Sequence, residues 1–161
     1  MAEDETLNLA IELFQDAYRH QMKGDLNEAA ELYRQSIETY PTAEAYTFLG
    51  WTYSFMGDYD AAIAECRNAI ETDPDFGNAY NDIGAYLIEK GQIDEAVPWL
   101  EMATRAMRYD NPAFPHFNLG RVWELKHQFA RALASYQMAV EIDARYTLAL
   151  TGIRRLRAMF N

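Results

Sequence analysis

The sequence predicts an all-α protein built as a stack of about four helical hairpins. Three observations point to this fold. Small and large residues recur every 33 to 36 positions, apolar residues recur at helical spacing inside each period, and glycine or proline separates the helical runs. A period of this length suits one helix–turn–helix unit, which cannot bury its apolar faces alone. Consecutive units are therefore expected to stack into a solenoid around a continuous core.

A column of alanines makes the repeat visible, with steps of 33, 34 and 36 residues. The column consists of Ala29, Ala62, Ala96 and Ala132. Three more columns keep these steps: the small residues Ala17, Gly50, Gly84 and Gly120, the large residues Tyr33, Cys66, Leu100 and Tyr136, and the turn residues Gly24, Gly57, Gly91 and His127. Small residues let paired helices approach closely, and large residues fill the spaces beside them. The turn residues are expected to end the first helix of each hairpin, because glycine readily adopts the left-handed conformation.

The second copy shows how one hairpin is encoded. Tyr46, Leu49 and Tyr53 recur at i, i+3 and i+7, which places them on one face of a helix. A second apolar run follows the turn and stops at Asp73-Pro74, because proline disfavours helical geometry in the residue before it. Each copy is therefore predicted to contain two helices.

These columns resemble the signature of the tetratricopeptide repeat family. The second copy matches it best, through Tyr46, Leu49-Gly50, Tyr53, Gly57-Asp58-Tyr59, Ala62, Ala69 and Pro74. The resemblance covers about residues 7 to 144 and implies a right-handed α-solenoid of about nine helices, in which the first helix of each pair lines a concave face. We expect a single domain, 1–161, with repeats at about 10–42, 43–76, 77–112 and 113–146 and a capping helix at 147–160.

The third repeat and the C-terminus depart from a regular pattern. The third repeat is two residues longer than the second, which predicts a wider loop before the next helix, with Pro115 in its first turn. Pro98 lies early in a predicted helix, where a local distortion is expected. The C-terminal residues from Tyr146 to Phe160 form an amphipathic pattern that predicts a cap on the last repeat.

Composition narrows the classes of partner. The net charge is −11, which argues against nucleic acid and anionic membranes, since phosphate binding needs a basic face. The four arginines after Ala144 either lie on a solvated last helix, near its negative dipole end, or form a docking surface that pairs with an acidic patch. One cysteine permits no internal disulfide, the N-terminus lacks the pattern of a secretory signal, and no apolar run is long enough to span a bilayer. We therefore expect a cytoplasmic protein without membrane insertion.

Catalytic and metal-binding patterns are not apparent in the sequence. His20 and His116 occupy packing columns and His127 a turn; no two of them stand at i, i+4 spacing, and none has Cys66 at ligand spacing. Cys66 occupies a core column, which favours a packed thiol over a nucleophile. We expect no enzymatic activity, no metal and no cofactor.

The resemblance implies that residues at fixed positions of the first helices line a peptide-binding groove. The candidates are Phe14, Tyr18 and Met22 from repeat one, Trp51 and Phe55 from repeat two, Asn78, Asn81 and Ile88 from repeat three, and Phe117, Arg121 and Leu125 from repeat four. Aromatic anchors with a few polar groups suit an extended segment or an amphipathic helix. Trp51 is the strongest candidate, because exposed tryptophan is a typical anchor.

These residues favour a scaffold or adaptor that binds another protein or a peptide. Family members that hold the C-terminal carboxylate of chaperones use lysines and asparagines where this chain has Phe14, Tyr18 and Trp51, so that specialisation is disfavoured. Two alternatives remain. One is a structural module that self-assembles head to tail or as a dimer. The other is a small acidic chaperone for apolar segments, similar to those that guard secretion translocators.

Overall fold

The computed structural model describes residues 1–161, apart from the side chain of Ala2. Over this range the chain forms nine helices: α1 (Ala2–Lys23), α2 (Leu26–Thr39), α3 (Ala43–Phe55), α4 (Tyr59–Thr72), α5 (Gly77–Glu89), α6 (Ile93–Arg105), α7 (Ala113–Leu125), α8 (Phe129–Ile142) and α9 (Thr147–Met159). The predicted all-α helical repeat architecture is confirmed. None of the helices, as far as the chain is described, combines the length and apolar character needed to cross a bilayer.

The helices pack as consecutive antiparallel hairpins. The pairs α1–α2, α3–α4, α5–α6 and α7–α8 each share an extensive contact, and the second helix of a pair also packs against the first helix of the next. The predicted turn residues end the first helices: Gly24, Gly57 and Gly91 have φ of 85°, 80° and 77°, and His127 takes the fourth turn at 57°. Short turns of this kind bring sequential helices side by side.

Small residues face large ones inside the hairpins, as the columns predict. A Cβ added at Gly84 would lie 2.4 Å from Leu100, and one added at Gly120 would lie 2.4 Å from Tyr136. Tyr136 also contacts α9, where a Cβ at Gly152 would come within 2.8 Å of its ring. The last hairpin and the capping helix therefore meet on a single buried tyrosine, whose side chain is 1% exposed.

The loop between α6 and α7 is wide, as the longer third repeat predicts. It folds back onto the preceding turn, where the Gly77 N–H donates to the Arg108 carbonyl at 2.9 Å and the Arg108 N–H donates to the Asp75 carbonyl at 3.0 Å. Pro115 lies in the first turn of α7, in agreement with the prediction. Pro98 lies inside α6, which continues to Arg105.

Candidate peptide-binding groove

The first helices of successive hairpins form an inner layer. α1 contacts α3, α3 contacts α5, and α5 contacts α7, in addition to the contacts inside each hairpin. Helices that approach one another across repeats in this way lie on the tighter, concave side of a solenoid. The candidate groove residues all belong to these four helices.

An aromatic cluster occupies the N-terminal half of this inner layer. Phe48 is its centre, with ring centroids 5.0 Å from Phe14, 5.9 Å from Tyr18 and 5.6 Å from Trp51. The cluster continues from Trp51 to Phe55 at 5.2 Å. Offset and edge-to-face aromatic pairs at these separations are mutually stabilising and hold the rings in fixed positions. We call these five residues, Phe14, Tyr18, Phe48, Trp51 and Phe55, the aromatic cluster.

Members of the aromatic cluster differ in how much they expose. Phe55 and Tyr18 are 56% and 42% exposed, and Met22, which lines a shallow pocket with Phe55, is 51% exposed. Phe14 and Trp51 are only partly exposed, and Phe14 also packs edge-on against the buried Tyr33 at 5.4 Å. Phe14 therefore supports the core as well as the groove surface, whereas Phe55 and Tyr18 are available for contact.

The middle of the inner layer, on α5, is polar and more deeply buried. Asn81 is 5% exposed, and its Oδ1 accepts a 3.0 Å hydrogen bond from Asn118 Nδ2. Ile88 is 7% exposed and belongs to the core. Asn78 is partly exposed, but its Oδ1 is buried and has no hydrogen-bond partner among the described side chains. Two sequence candidates, Asn81 and Ile88, therefore lie within the wall of the groove rather than on its surface.

The C-terminal half of the groove contains an open pocket of about 600 Å³ between α7 and α9. Phe117, Arg121 and Leu125 line it together with Leu148 and Arg155 of the capping helix. Leu125 is 52% exposed, while the Phe117 ring packs against Tyr136 at 5.6 Å between centroids. This part of the surface combines apolar and cationic side chains.

Two glutamates in the C-terminal half of the groove form ion pairs with arginines. Arg121 Nη2 donates to Glu89 Oε1 at 2.9 Å, and Arg155 Nη2 donates to Glu124 Oε2 at 2.6 Å. The hydrogen bond from Arg155, with a further one from the Tyr136 hydroxyl, lowers the pKa of Glu124. Arg121 is thus already paired, and only part of its guanidinium remains for a ligand.

The α6–α7 loop is tied to the second hairpin by Arg108. Arg108 Nη1 lies 2.6 Å from Glu44 Oε1 of α3, and its Nη2 lies 2.7 Å from Asp73 Oδ2. The guanidinium also stands over the Phe76 ring, 4.3 Å from its centroid. One arginine therefore ties the second and third hairpins together, and its hydrogen bond lowers the pKa of Asp73.

The cysteine and the histidines are not gathered into a metal-binding cluster in the described part of the chain. Burial raises the pKa of the Cys66 thiol well above its usual range, and burial lowers the pKa of His116. Among the described residues, no group of three or more histidine, cysteine, aspartate or glutamate side chains is arranged to hold a metal ion.

Phe48, Asp82 and Asn118 are inner-layer residues absent from the sequence candidates, as is Glu44. A signal was present, because Phe48, Asp82 and Asn118 each stand two positions before the column glycine of their repeat. Phe48 and Asn118 contact neighbouring first helices from this position, and Asp82 occupies the same position on α5.

Two models described as tetratricopeptide repeat match residues 43–76 and 65–97. The small glutamine-rich tetratricopeptide repeat-containing protein 2 of Mycosarcoma maydis is 33% identical over 95 residues, covering 58% of this chain and 27% of that protein. The chain spans about a quarter of the length of the curated relatives it matches, between 22% and 27%.

Solved structures share the fold along almost the whole chain. The structure of pilF from Pseudomonas aeruginosa superposes with a TM-score of 0.86 at 20% identity, covering 97% of this chain and 69% of that one. YrrB, described as a TPR protein with an unusual peptide-binding site, superposes with a TM-score of 0.71 at 19% identity, covering 90% of this chain and 74% of that one.

Proposed function

Because this chain belongs to the tetratricopeptide repeat family, we propose that it is a protein-interaction module whose concave groove binds a segment of another protein. The segment is an extended peptide or an amphipathic helix with at least one large apolar side chain. No catalytic step is part of this proposal, and the module acts in the cytoplasm without inserting into a membrane or binding nucleic acid.

The observation that carries the proposal is the exposure of Tyr18 and Phe55 at the two ends of the aromatic cluster. Both rings are fixed by neighbours in the cluster, at 5.9 and 5.2 Å, and yet remain 42% and 56% exposed. Aromatic side chains held in place lose little conformational entropy on binding, which makes them effective anchors. Met22 beside Phe55 adds an adaptable apolar surface.

Relatives are consistent with this reading. YrrB, which shares the fold, is described as having a peptide-binding site. This chain has no lysine or asparagine at Phe14, Tyr18 or Trp51, so we propose an apolar segment rather than a terminal carboxylate as the occupant. An acidic chaperone for apolar segments would be one form of this function.

The test compares two double variants in affinity capture from the source cell. Trp51→Ala with Phe55→Ala removes one exposed end of the aromatic cluster and spares Phe14, which supports the core. Met102→Ala with Met138→Ala is the matched control, because both methionines are exposed, at 39% and 43%, on second helices. We expect the groove variant to lose a partner that the wild type and the control retain, with unchanged helical circular dichroism. Equal capture by both variants would place the binding surface outside the groove.

Self-assembly is a second candidate, favoured by the two ends of the solenoid. The N-terminal end has an apolar pocket of about 280 Å³ lined by Leu7, Ile11 and Phe14, with acidic residues along α1. The C-terminal end exposes Leu148 of the arginine-rich α9, at 59%, and Phe160 directly after this helix, at 68%. Head-to-tail contact would join apolar surfaces and opposite charges. Sedimentation at low salt should then show a larger species that high salt dissociates, whereas a monomer under both conditions would exclude it.

A further inference from the structure

On α3, α5 and α7, every acidic side chain except Asp82 is paired with an arginine of this chain. The pairs are Glu44–Arg108 at 2.6 Å, Glu89–Arg121 at 2.9 Å and Glu124–Arg155 at 2.6 Å. Asp82 is different. It belongs to α5, in the middle of the layer, and no lysine, arginine or histidine nitrogen among the described side chains lies within 4.0 Å of its carboxylate.

The surroundings of Asp82 do little to compensate its charge. Its Oδ1 receives one long hydrogen bond, from Asn81 Nδ2 at 3.5 Å. The other ionisable groups that face it are the thiol of Cys66 on α4 and the hydroxyls of Tyr86 on α5 and Tyr109 in the α6–α7 loop, all neutral at ordinary pH. Burial raises the pKa of Asp82 to about 7. Asp82 as a whole residue nevertheless keeps part of its surface exposed to solvent.

A second acceptor on the same helix, the side-chain oxygen of Asn78, has no hydrogen-bond donor among the side chains that the structure describes. Asn78 precedes Asp82 by one helical turn, so the two side chains share a face of α5. The Oδ1 of Asn78 is buried without a hydrogen-bond partner among the described residues. Unsatisfied buried acceptors are costly and rare in native proteins. A carboxylate with a single long hydrogen bond, next to an amide oxygen with none, indicates a place where donors arrive from outside.

We propose that Asp82 binds the ammonium or guanidinium group of a lysine or arginine carried by the segment in the groove. This inference rests on the proposed function and specifies its partner as a basic, partly apolar peptide. A cationic side chain supplies both the positive charge and the several N–H donors that this face of α5 lacks. The net charge of −11 attracts such a segment from a distance.

The experiment selects peptides from a random library displayed on phage, at about pH 8, where a carboxyl with a pKa near 7 is mostly ionised. Four forms of the full chain are used in parallel: the wild type, Asp82→Asn, Asp60→Asn, and the Trp51→Ala, Phe55→Ala double variant. Asp60→Asn serves as the charge-matched control, because Asp60 is an exposed carboxylate of α4 that pairs with Lys90. Thermal melting checks that each variant is folded.

We expect the wild type and Asp60→Asn to enrich peptides with lysine or arginine at one fixed position relative to an apolar residue, and Asp82→Asn to lose that enrichment. An enriched peptide synthesised without phage should bind Asp82→Asn about tenfold or more weakly than wild type, because a desolvated charge pair is lost. Its affinity for the wild type should fall similarly between about pH 8 and pH 5.5, as Asp82 becomes protonated, while Asp82→Asn shows no such fall.

The outcomes separate this inference from the proposed function. Peptides that need Trp51 and Phe55 but show no basic position, or that bind Asp82→Asn equally well, overturn the role of Asp82 and leave the groove intact. A selection in which the Trp51→Ala, Phe55→Ala variant enriches the same peptides as the wild type overturns the groove itself, and the role of Asp82 with it.

Discussion

Replacing Gly120 by alanine should destabilise the last hairpin, although alanine is the better helix former. An alanine Cβ at this site would lie 2.4 Å from Tyr136 Cε1, 2.5 Å from Cδ1 and 2.9 Å from Cζ. The ring cannot move away, because its opposite edge meets Gly152 of α9, where a Cβ would come within 2.8 Å of Cε2. The ring is also held by the hydrogen bond from its hydroxyl to Glu124 at 2.8 Å.

The magnitude follows from two opposing terms. Overpacking a rigid core costs about 1–3 kcal/mol, and a clash with three ring atoms belongs near the upper end of that range. Alanine in place of glycine in a helix stabilises the helix by about 1 kcal/mol. We therefore expect Gly120→Ala to lower the free energy of unfolding by roughly 2 kcal/mol.

Urea denaturation followed by circular dichroism measures this change, and a double-mutant cycle identifies its cause. In a Tyr136→Ala background the clash is absent, so Gly120→Ala should become neutral or stabilising by up to about 1 kcal/mol. A Gly120→Ala variant as stable as the wild type would refute the close contact between α7 and α8. Equal losses in both backgrounds would show that Tyr136 is not the obstacle.

Two further predictions concern charged groups. Arg108→Gln should lower the free energy of unfolding by about 1 kcal/mol in low salt and by less in high salt, because it loses partly exposed ion pairs to Glu44 and Asp73. Urea denaturation measures this change, and Arg145→Gln, which replaces an exposed arginine in the α8–α9 turn, is the control. Equal effects of the two substitutions would show that Arg108 does not hold the second and third hairpins together. The pKa of Asp82 is raised to about 7 from an ordinary 3.8, so the folded chain binds more protons than the unfolded chain between these two pH values. The wild type should therefore lose stability relative to Asp82→Asn as the pH rises from about 4 to 7, by at most about 1.4 kcal/mol per pH unit. Urea denaturation of both proteins at several pH values measures this difference. Free energies of unfolding that change with pH in parallel would show that Asp82 has an ordinary pKa.

The repeat columns made most of the fold predictable. Glycines at 24, 57 and 91 require the left-handed conformation, and the small residues at Gly84 and Gly120 face the large side chains that the period assigned to them. These features could be predicted because each depends on residues less than one repeat apart, so the spacing itself carries the information.

Features of the groove that join distant residues could not be predicted in the same way. Arg108 meets Glu44 across 64 positions, and no local pattern indicates which carboxylate it will contact. The sequence predicts Trp51 as an exposed anchor, but Phe48 packs against it and leaves it only partly exposed, so Phe55 and Tyr18 present more surface. The burial of Asn81 and Ile88 likewise depends on how closely α5 and α7 approach.

The groove is tested most directly by photo-crosslinking from single positions of the full chain. Benzoylphenylalanine is introduced in place of Phe55, which is exposed in the aromatic cluster, or in place of Met102, which is exposed on α6 outside it. A peptide enriched by the wild type in the phage selection is added before irradiation. We predict adducts from position 55 and none above background from position 102. Adducts from position 102 alone would show that the peptide binds outside the concave face and would contradict the proposed function.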